Sequence, residues 1–312
     1  MDFVWILAGL VLLLLGGDWL VKASIDIALR AKISLLVVGM TVVSFATSAP
    51  ELLVSLKAAL GGHVDISFGN VIGSNLANIA LILGLTALVF PLDVSEKSMR
   101  SDYWVMMGVT VLLLIFLLGG VLVFWEAAVL FGILVIYNVV QIRASRKLGK
   151  KAGAEAAAPS RKWWWMVLYL LGGAVGLRFG AEFLIRGSVN LASTWGVSER
   201  VIGLTVVSIG TSLPELAASL VASFKGQQDI SIGNLIGSNI FNILAVLGIT
   251  GLMVDLPVKS EQLLYYDFPW LFGISVLLFL FMRFLPRGQI NRWQGGLLLL
   301  AYLLYLTGVI FL

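Results

Sequence analysis

The chain has no cysteine, a single histidine (His63) and few charges, with Asp, Glu, Lys and Arg making up 12% of its 312 residues. An ordinary soluble protein carries roughly 25%. Without cysteine there is no disulfide scaffold and no thiolate metal site. The 21 basic and 17 acidic residues cannot clothe a water-exposed surface of this size. Disorder is excluded by the opposite excess, because 60% of the residues are hydrophobic and disordered chains are poor in them. With a mean hydropathy of +1.01, the chain reads as a polytopic membrane protein whose surroundings are the lipid bilayer. The net charge of +4 comes from basic residues gathered in loops rather than on one face, so no nucleic-acid partner is expected. The N-terminus has no basic leader and no small-residue cleavage pattern, and it reads as a retained first helix rather than a signal peptide.

Apolar runs close to the length of a bilayer-spanning helix, about 20 residues, recur at 3–24, 37–60, 68–90, 102–119, 121–142, 163–190, 201–224, 232–254, 264–284 and 292–312. The expected fold is an all-α membrane protein of ten transmembrane helices. One polar stretch, 143–162, interrupts the series with Arg143, Arg146, Lys147, Lys150, Lys151, Arg161 and Lys162. It reads as a linker between halves 1–142 and 163–312. Positive-inside logic puts this linker in the cytoplasm of a plasma-membrane protein and both termini outside.

Residues 39–84 repeat as 203–248 at a constant offset of 164 without gaps, and 27 of the 46 positions are identical. The correspondence reaches back to Asp18 and Glu182. Five helices per half is an odd number, so the second copy enters the membrane from the opposite side. Inverted repeats of this kind build secondary transporters, with the site between the repeats near the bilayer centre. Simple duplication of a bundle would repeat apolar packing positions. Here Thr, Ser, Pro, Glu and Asn recur instead.

Glu51 and Glu215 each read as mid-helix carboxylates within apolar runs. A charge at that depth costs about +2.5 to +3.5 kcal/mol and normally faces a cavity, a partner or an ion. If the pair converges, a cation sits between the two carboxylates or one of them is protonated. Thr47 and Ser48 lie four and three residues before Glu51, on its helix face, with Ser44 two turns back. Thr211, Ser212 and Ser208 stand in the same way before Glu215. Pro50 and Pro214 deprive the carbonyls of Ala46 and Gly210 of their helical partners, freeing oxygens for a cation. In the second motif helix of each half, Ser74 precedes Asn78 and Ser238 precedes Asn242 by four residues, one face each. Asn75 and Asn239 point about 100° away and are expected to bond between helices. Gly69 and Gly73, with Gly233 and Gly237, have the GxxxG spacing of closely packed helices. All these ligands are hard oxygens, which suits Ca²⁺ and Na⁺ and disfavours zinc and soft metals. Ions that compete for the same carboxylates exchange rather than travel alone. No nucleophile–base pair is visible, so no enzyme is expected. The carboxylates are paired rather than ringed, which speaks against a channel.

GMTVVSFATSAPELLVSL with GNVIGSNLANIALILG, and GLTVVSIGTSLPELAASL with GNLIGSNIFNILAVLG, resemble the two alpha repeats of the cation/calcium antiporter superfamily, and its prokaryotic sodium/calcium exchangers in particular. The resemblance implies a four-helix ion core with two long gating helices sliding against it, and Na⁺ influx driving Ca²⁺ extrusion. No cofactor beyond the transported ions and no obligate protein partner is expected. The resemblance also assigns roles by motif position. Glu51 and Glu215 match acidic ligands shared by calcium and sodium, and Thr47 and Thr211 match carbonyl ligands near calcium. Ser44, Ser48, Ser74, Ser208, Ser212 and Ser238 match sodium-site groups, and Asn78 and Asn242 the central positions. Some relatives carry Asp where Asn242 stands, and that departure removes a central charge. Proton or potassium coupling on the same fold is the alternative.

Overall fold

The computed structural model describes residues 2–93, 96–151, 161–195, 208–283 and 289–311. The molecule is almost entirely helical, and each of the ten apolar stretches contains helix. Among the described residues six helices are long and apolar enough to cross a bilayer: Asp2–Ala31, Val64–Val89, Phe124–Leu148, Trp163–Thr194, Gln228–Met253 and Leu263–Arg283. A seventh is counted if Leu35–Thr47 and Ala49–Leu60, bent by 44° at Ser48, form one span. Shorter apolar helices cover Ser101–Leu117 and Leu213–Phe224, and Arg292–Phe311 closes the described chain.

Two boundaries move outward from the expected ones. The first helix continues to Ala31 because its polar residues find partners. Ser24 donates to the Leu20 carbonyl at 2.7 Å, and Asp26, 1% exposed, pairs with Arg161 at 2.9 Å. The stretch read as a linker begins as helix, since Phe124–Lys151 is continuous. Its Arg, Lys, Ala and Leu residues are good helix formers and nothing in them breaks the helix. Residues 152–160, the middle of that linker, and 201–207, the start of the seventh run, lie outside the described residues.

The chain divides into two compact units, and neither coincides with a sequence half. The first comprises Met1–Thr47, Gln141–Asn234 and Leu303–Leu312; the second comprises Ser48–Val140 and Leu235–Tyr302. Each draws helices from both repeats.

In the first unit the long helices Asp2–Ala31 and Trp163–Thr194 pack antiparallel. A Cβ added at Gly16 would stand 2.7 Å from the Leu177 nitrogen, and one at Gly173 would stand 2.8 Å from the Leu20 nitrogen. Gly9, Gly180 and Gly187 are equally tight. The glycines fall seven residues apart on each helix, forming one seam along which the backbones touch. Around it lie Leu13, Leu20, Val21, Ala181 and Ala218. The GxxxG expectation is met at Gly233, where a Cβ would stand 2.6 Å from the Leu36 carbonyl oxygen. At Gly69 and Gly73 no described atom comes within 4 Å of such a Cβ.

The second unit is tied by two small antiparallel strand pairs. Leu92 and Asp93 pair with Ile290 and Gln289; Val121 and Leu122 pair with Pro257 and Leu256. Each pair joins the loop after one repeat's second motif helix to a loop of the other repeat. Tyr103, 2% exposed, donates to the Ser275 carbonyl at 2.9 Å. A buried hydroxyl of this kind needs such a partner.

Candidate ion-binding site

Proline sets the local geometry. Pro50 and Pro214 are each the second residue of a new helix, Ala49–Leu60 and Leu213–Phe224. The missing N–H is harmless in the first turn of a helix but would break one further in. The expectation that the glutamates sit mid-helix is therefore corrected: Glu51 and Glu215 lie in the first turn after a break. Both are 0% exposed. A carboxylate this deep must be balanced by a proton, a hydrogen-bonded partner or a cation.

Ser48-x-x-Glu51 and Ser212-x-x-Glu215 have the capping-box pattern, yet neither serine side chain makes the cap bond. The Ser212 hydroxyl, in a residue 1% exposed, has no hydrogen-bond partner among the described residues. Leaving such a group unbonded costs about 1–3 kcal/mol, so a hydroxyl withheld from its cap is available to a ligand.

The second motif helices carry a feature the sequence did not announce. Each widens into a single π-helical stretch, Ala77–Ile82 and Asn242–Leu247, at Asn78 and Asn242. Such bulges loosen the carbonyl ladder and recur at functional sites. Asn78 is 0% exposed, and both its amide atoms lack a partner among the described residues. Asn242 donates to Asn75 Oδ1 at 3.0 Å, and its own Oδ1 has no partner among the described residues. Asn75 also donates to the Asn239 carbonyl at 3.2 Å, bonding between helices as expected. Asn239 instead donates to Leu235 of its own helix at 2.8 Å.

The twelve sequence-derived candidates fall equally into the two units. Ser44, Thr47, Ser208, Thr211, Ser212 and Glu215 belong to the first. There Ser44 donates to the Gly39 carbonyl at 2.8 Å and contacts the Asn234 carbonyl at 3.1 Å, while Thr47 donates to Asn234 Oδ1 at 3.1 Å. Ser208 opens the helix Ser208–Gly210; its side chain lies outside the described residues. Ser48, Glu51, Ser74, Asn78, Ser238 and Asn242 belong to the second unit. There the helix of Glu51 packs against both Val64–Leu76 and the π turn of Asn242. Ser74 and Ser238 are buried. Among the described residues no three of His, Cys, Asp and Glu gather as a metal cluster. The available donor set is hydroxyl, amide and carbonyl oxygen beside individual carboxylates.

Two further pairs escaped sequence reasoning. Asn70 donates to the Glu51 carbonyl at 3.2 Å and to the Ser55 hydroxyl at 2.9 Å. Asn234 contacts the Glu215 carbonyl at 3.5 Å and the Ser219 hydroxyl at 3.1 Å. These are the same contacts 164 residues apart. Identity of Asn70 with Asn234 and of Ser55 with Ser219 across the repeat was the available signal.

A helical membrane protein with duplicated, buried oxygen-donor sites of this kind belongs among the cation transporters. Comparison with known proteins gives the family. The sequence matches the sodium/calcium exchanger protein family over residues 1–143 and 165–311. It is 30% identical over 347 residues to the sodium/calcium exchanger MaX1 of Methanosarcina acetivorans, covering 98% of this chain and 97% of that one. It is 33% identical over 311 residues to the inner membrane protein YrbG of Escherichia coli, covering 97% and 94%. The fold matches a solved structure of the sodium-calcium exchanger NCX_Mj with a TM-score of 0.82 at 32% identity, covering 98% of this chain and 97% of that chain. The chain belongs to the sodium/calcium exchanger family and is a cation/calcium antiporter of the membrane.

Proposed function

We propose that this protein exchanges Na⁺ for Ca²⁺, with Na⁺ influx driving electrogenic Ca²⁺ extrusion by alternating access. In this reading Glu51 and Glu215 are ligands that serve both ions in turn, so that one cargo leaves before the other binds. Thr47 and Thr211 offer carbonyl oxygens to calcium. Ser44, Ser48, Ser74, Ser208, Ser212 and Ser238 serve sodium, and Asn78 and Asn242 occupy the centre. The ten helical stretches cross the plasma membrane as two inverted five-helix repeats, 1–142 and 163–312, with 143–162 cytoplasmic and both termini outside.

The observation that carries the reading is the duplicated break. In both repeats a fully buried Glu stands in the first turn after a proline, three residues after a serine that does not cap the helix. A hydroxyl and a carboxylate placed together, away from water, form a site for a hard cation. Purely structural carboxylates would not need the hydroxyl withheld from its cap in both copies.

The test is ⁴⁵Ca uptake into proteoliposomes on imposing an outward Na⁺ gradient. Uptake that needs Na⁺ and is abolished by Glu51→Gln and by Glu215→Gln supports the proposal. Uptake driven by a pH gradient without Na⁺ would replace it with proton coupling, and a requirement for K⁺ would mark potassium-dependent exchange.

A further inference from the structure

We infer that Asn234 is a positioning residue for the cation site and that it couples a donor from the first repeat to the carboxylate of the second. The inference rests on the exchange reading above. Asn234 is 0% exposed and lies within the first unit with every group named here. Its Nδ2 donates to Ser219 Oγ at 3.1 Å and makes a longer 3.5 Å contact with the Glu215 carbonyl. Its Oδ1 accepts from Thr47 Oγ1 at 3.1 Å, and its main-chain carbonyl contacts Ser44 Oγ at 3.1 Å. One side chain thus spans the gap between the last turn of Leu35–Thr47 and the first turn of Leu213–Phe224. These are the two ends at which the helices are broken.

A break leaves a helix end without its normal restraint. The i to i+4 ladder is interrupted at each proline, so the orientation of Glu215 is not fixed by its own helix on the N-terminal side. Asn234 adds a restraint from a neighbouring helix, at the Glu215 main-chain carbonyl and the Ser219 hydroxyl one turn on. It restrains Thr47 at the same time, so one amide ties a first-repeat donor to the main chain that carries the second-repeat carboxylate. A planar, uncharged group that both donates and accepts suits this role, since it adds no charge that would compete with the cargo.

The two ions should not feel its loss equally. The Coulomb interaction of a carboxylate with a cation scales with the cation's charge. A misplaced Glu215 therefore weakens Ca²⁺ more than Na⁺. In Asn234→Ala the half-saturating Ca²⁺ concentration is expected to rise about tenfold, the worth of one or two buried hydrogen bonds. The half-saturating Na⁺ concentration should rise less than about threefold.

The experiment measures Ca²⁺ and Na⁺ binding to purified protein by equilibrium dialysis with ⁴⁵Ca and ²²Na, alongside transport in proteoliposomes. The variants are Asn234→Ala, Thr47→Val, Asn70→Ala and the two double mutants that pair Thr47→Val with each asparagine change. Thr47→Val removes the same hydrogen bond from the opposite end without changing volume, so it tests the coupling even if Asn234→Ala does not fold. A coupling residue gives Ca²⁺ affinity losses that are non-additive for Thr47 with Asn234 and additive for Thr47 with Asn70. Equal loss for both ions, or unchanged Ca²⁺ affinity in both Asn234→Ala and Thr47→Val, would overturn the inference. The exchange reading is judged separately on the wild-type protein. Ca²⁺ binding without Na⁺-driven uptake defeats that reading while the binding data still decide the role of Asn234. A wild type that binds no Ca²⁺ defeats both.

Discussion

Asn70 and Asn234 occupy equivalent places in two copies of one sequence, yet their surroundings differ. Asn70 is half-buried and bonds Glu51 and Ser55. Asn234 is fully buried, makes the same two contacts and also holds Thr47 and Ser44. Duplication copied the asparagine together with the glutamate and serine that it touches. Thr47 and Ser44 reach Asn234 within the first unit, while the side chain of Ser208, the counterpart of Ser44, lies outside the described residues. Among the described residues the two copies thus share one chemistry while their asparagines differ in burial.

The carboxylates are where the copies should behave most alike. Glu51→Gln and Glu215→Gln each remove one charge from a position with no exposed surface. Each should lower Na⁺-driven Ca²⁺ uptake by more than about 100-fold, since losing one partner of a buried charge pair costs several kcal/mol. A tenfold or larger difference between the two variants would break the equivalence of the copies and assign the cargo mainly to one of them.

The glycines offer a second comparison, between the seam of the first unit and the open helix faces of the second. Gly173→Ala places a methyl 2.8 Å from the Leu20 backbone nitrogen. Overpacking of this sort should cost about 1–3 kcal/mol, read as a lower midpoint of thermal unfolding in detergent. Gly273→Ala meets no described atom within 4 Å. It should leave the midpoint unchanged or raise it, with a gain in stability of up to about 1 kcal/mol, because alanine is the better helix former.

Much of this was legible before the fold was known. The offset of 164 residues located both glutamates, both prolines and the hydroxyls around them. The prolines announced the freed carbonyls of Ala46 and Gly210, though not that a new helix starts beside them. The mid-helix placement failed because an apolar run records depth but not where the hydrogen-bond ladder is interrupted. The first helix was read as ending near residue 24, where the apolar run gives way to Asp26 and Arg30. Asp26 is buried against Arg161, 135 residues away, and no local pattern encodes that pairing. The π turns at Asn78 and Asn242 were invisible for a related reason, since widening a helix by one residue changes register but not composition. The two compact units also escaped the sequence, which reports the duplication and not which helices from the two copies pack together.

Ser212 and Ser48 sharpen the comparison at smaller scale. The Ser212 hydroxyl is buried without a partner among the described residues, so Ser212→Ala removes a desolvated group and should not destabilise the protein. If that oxygen serves sodium, the half-saturating Na⁺ concentration should rise about three- to tenfold, the equivalent of one lost hydrogen bond. Unchanged Na⁺ dependence with a raised unfolding midpoint would make Ser212 a packing residue and leave the sodium role to the first-repeat serine.

The smallest expected effect lies at Asp18 and Glu182, the outermost corresponding pair. Asp18 bonds Lys22 at 2.6 Å and also pairs with Lys225 at the end of Leu213–Phe224. Both partners of the Lys225 pair are partly exposed, which makes it a weak one. Glu182 keeps the equivalent of Lys22 in Arg186, but the position matching Lys225 is Gly61, and Glu182 is exposed. Among the described residues the cross-helix ion pair is seen at Asp18 alone. Lys225→Ala should cost at most about 1 kcal/mol, because both partners remain partly in solvent, and the loss should shrink as salt is raised. Glu182→Ala should cost nothing measurable. A salt-independent loss above that size would mean that Lys225 holds the first helix against Leu213–Phe224 by packing its aliphatic stem rather than by charge.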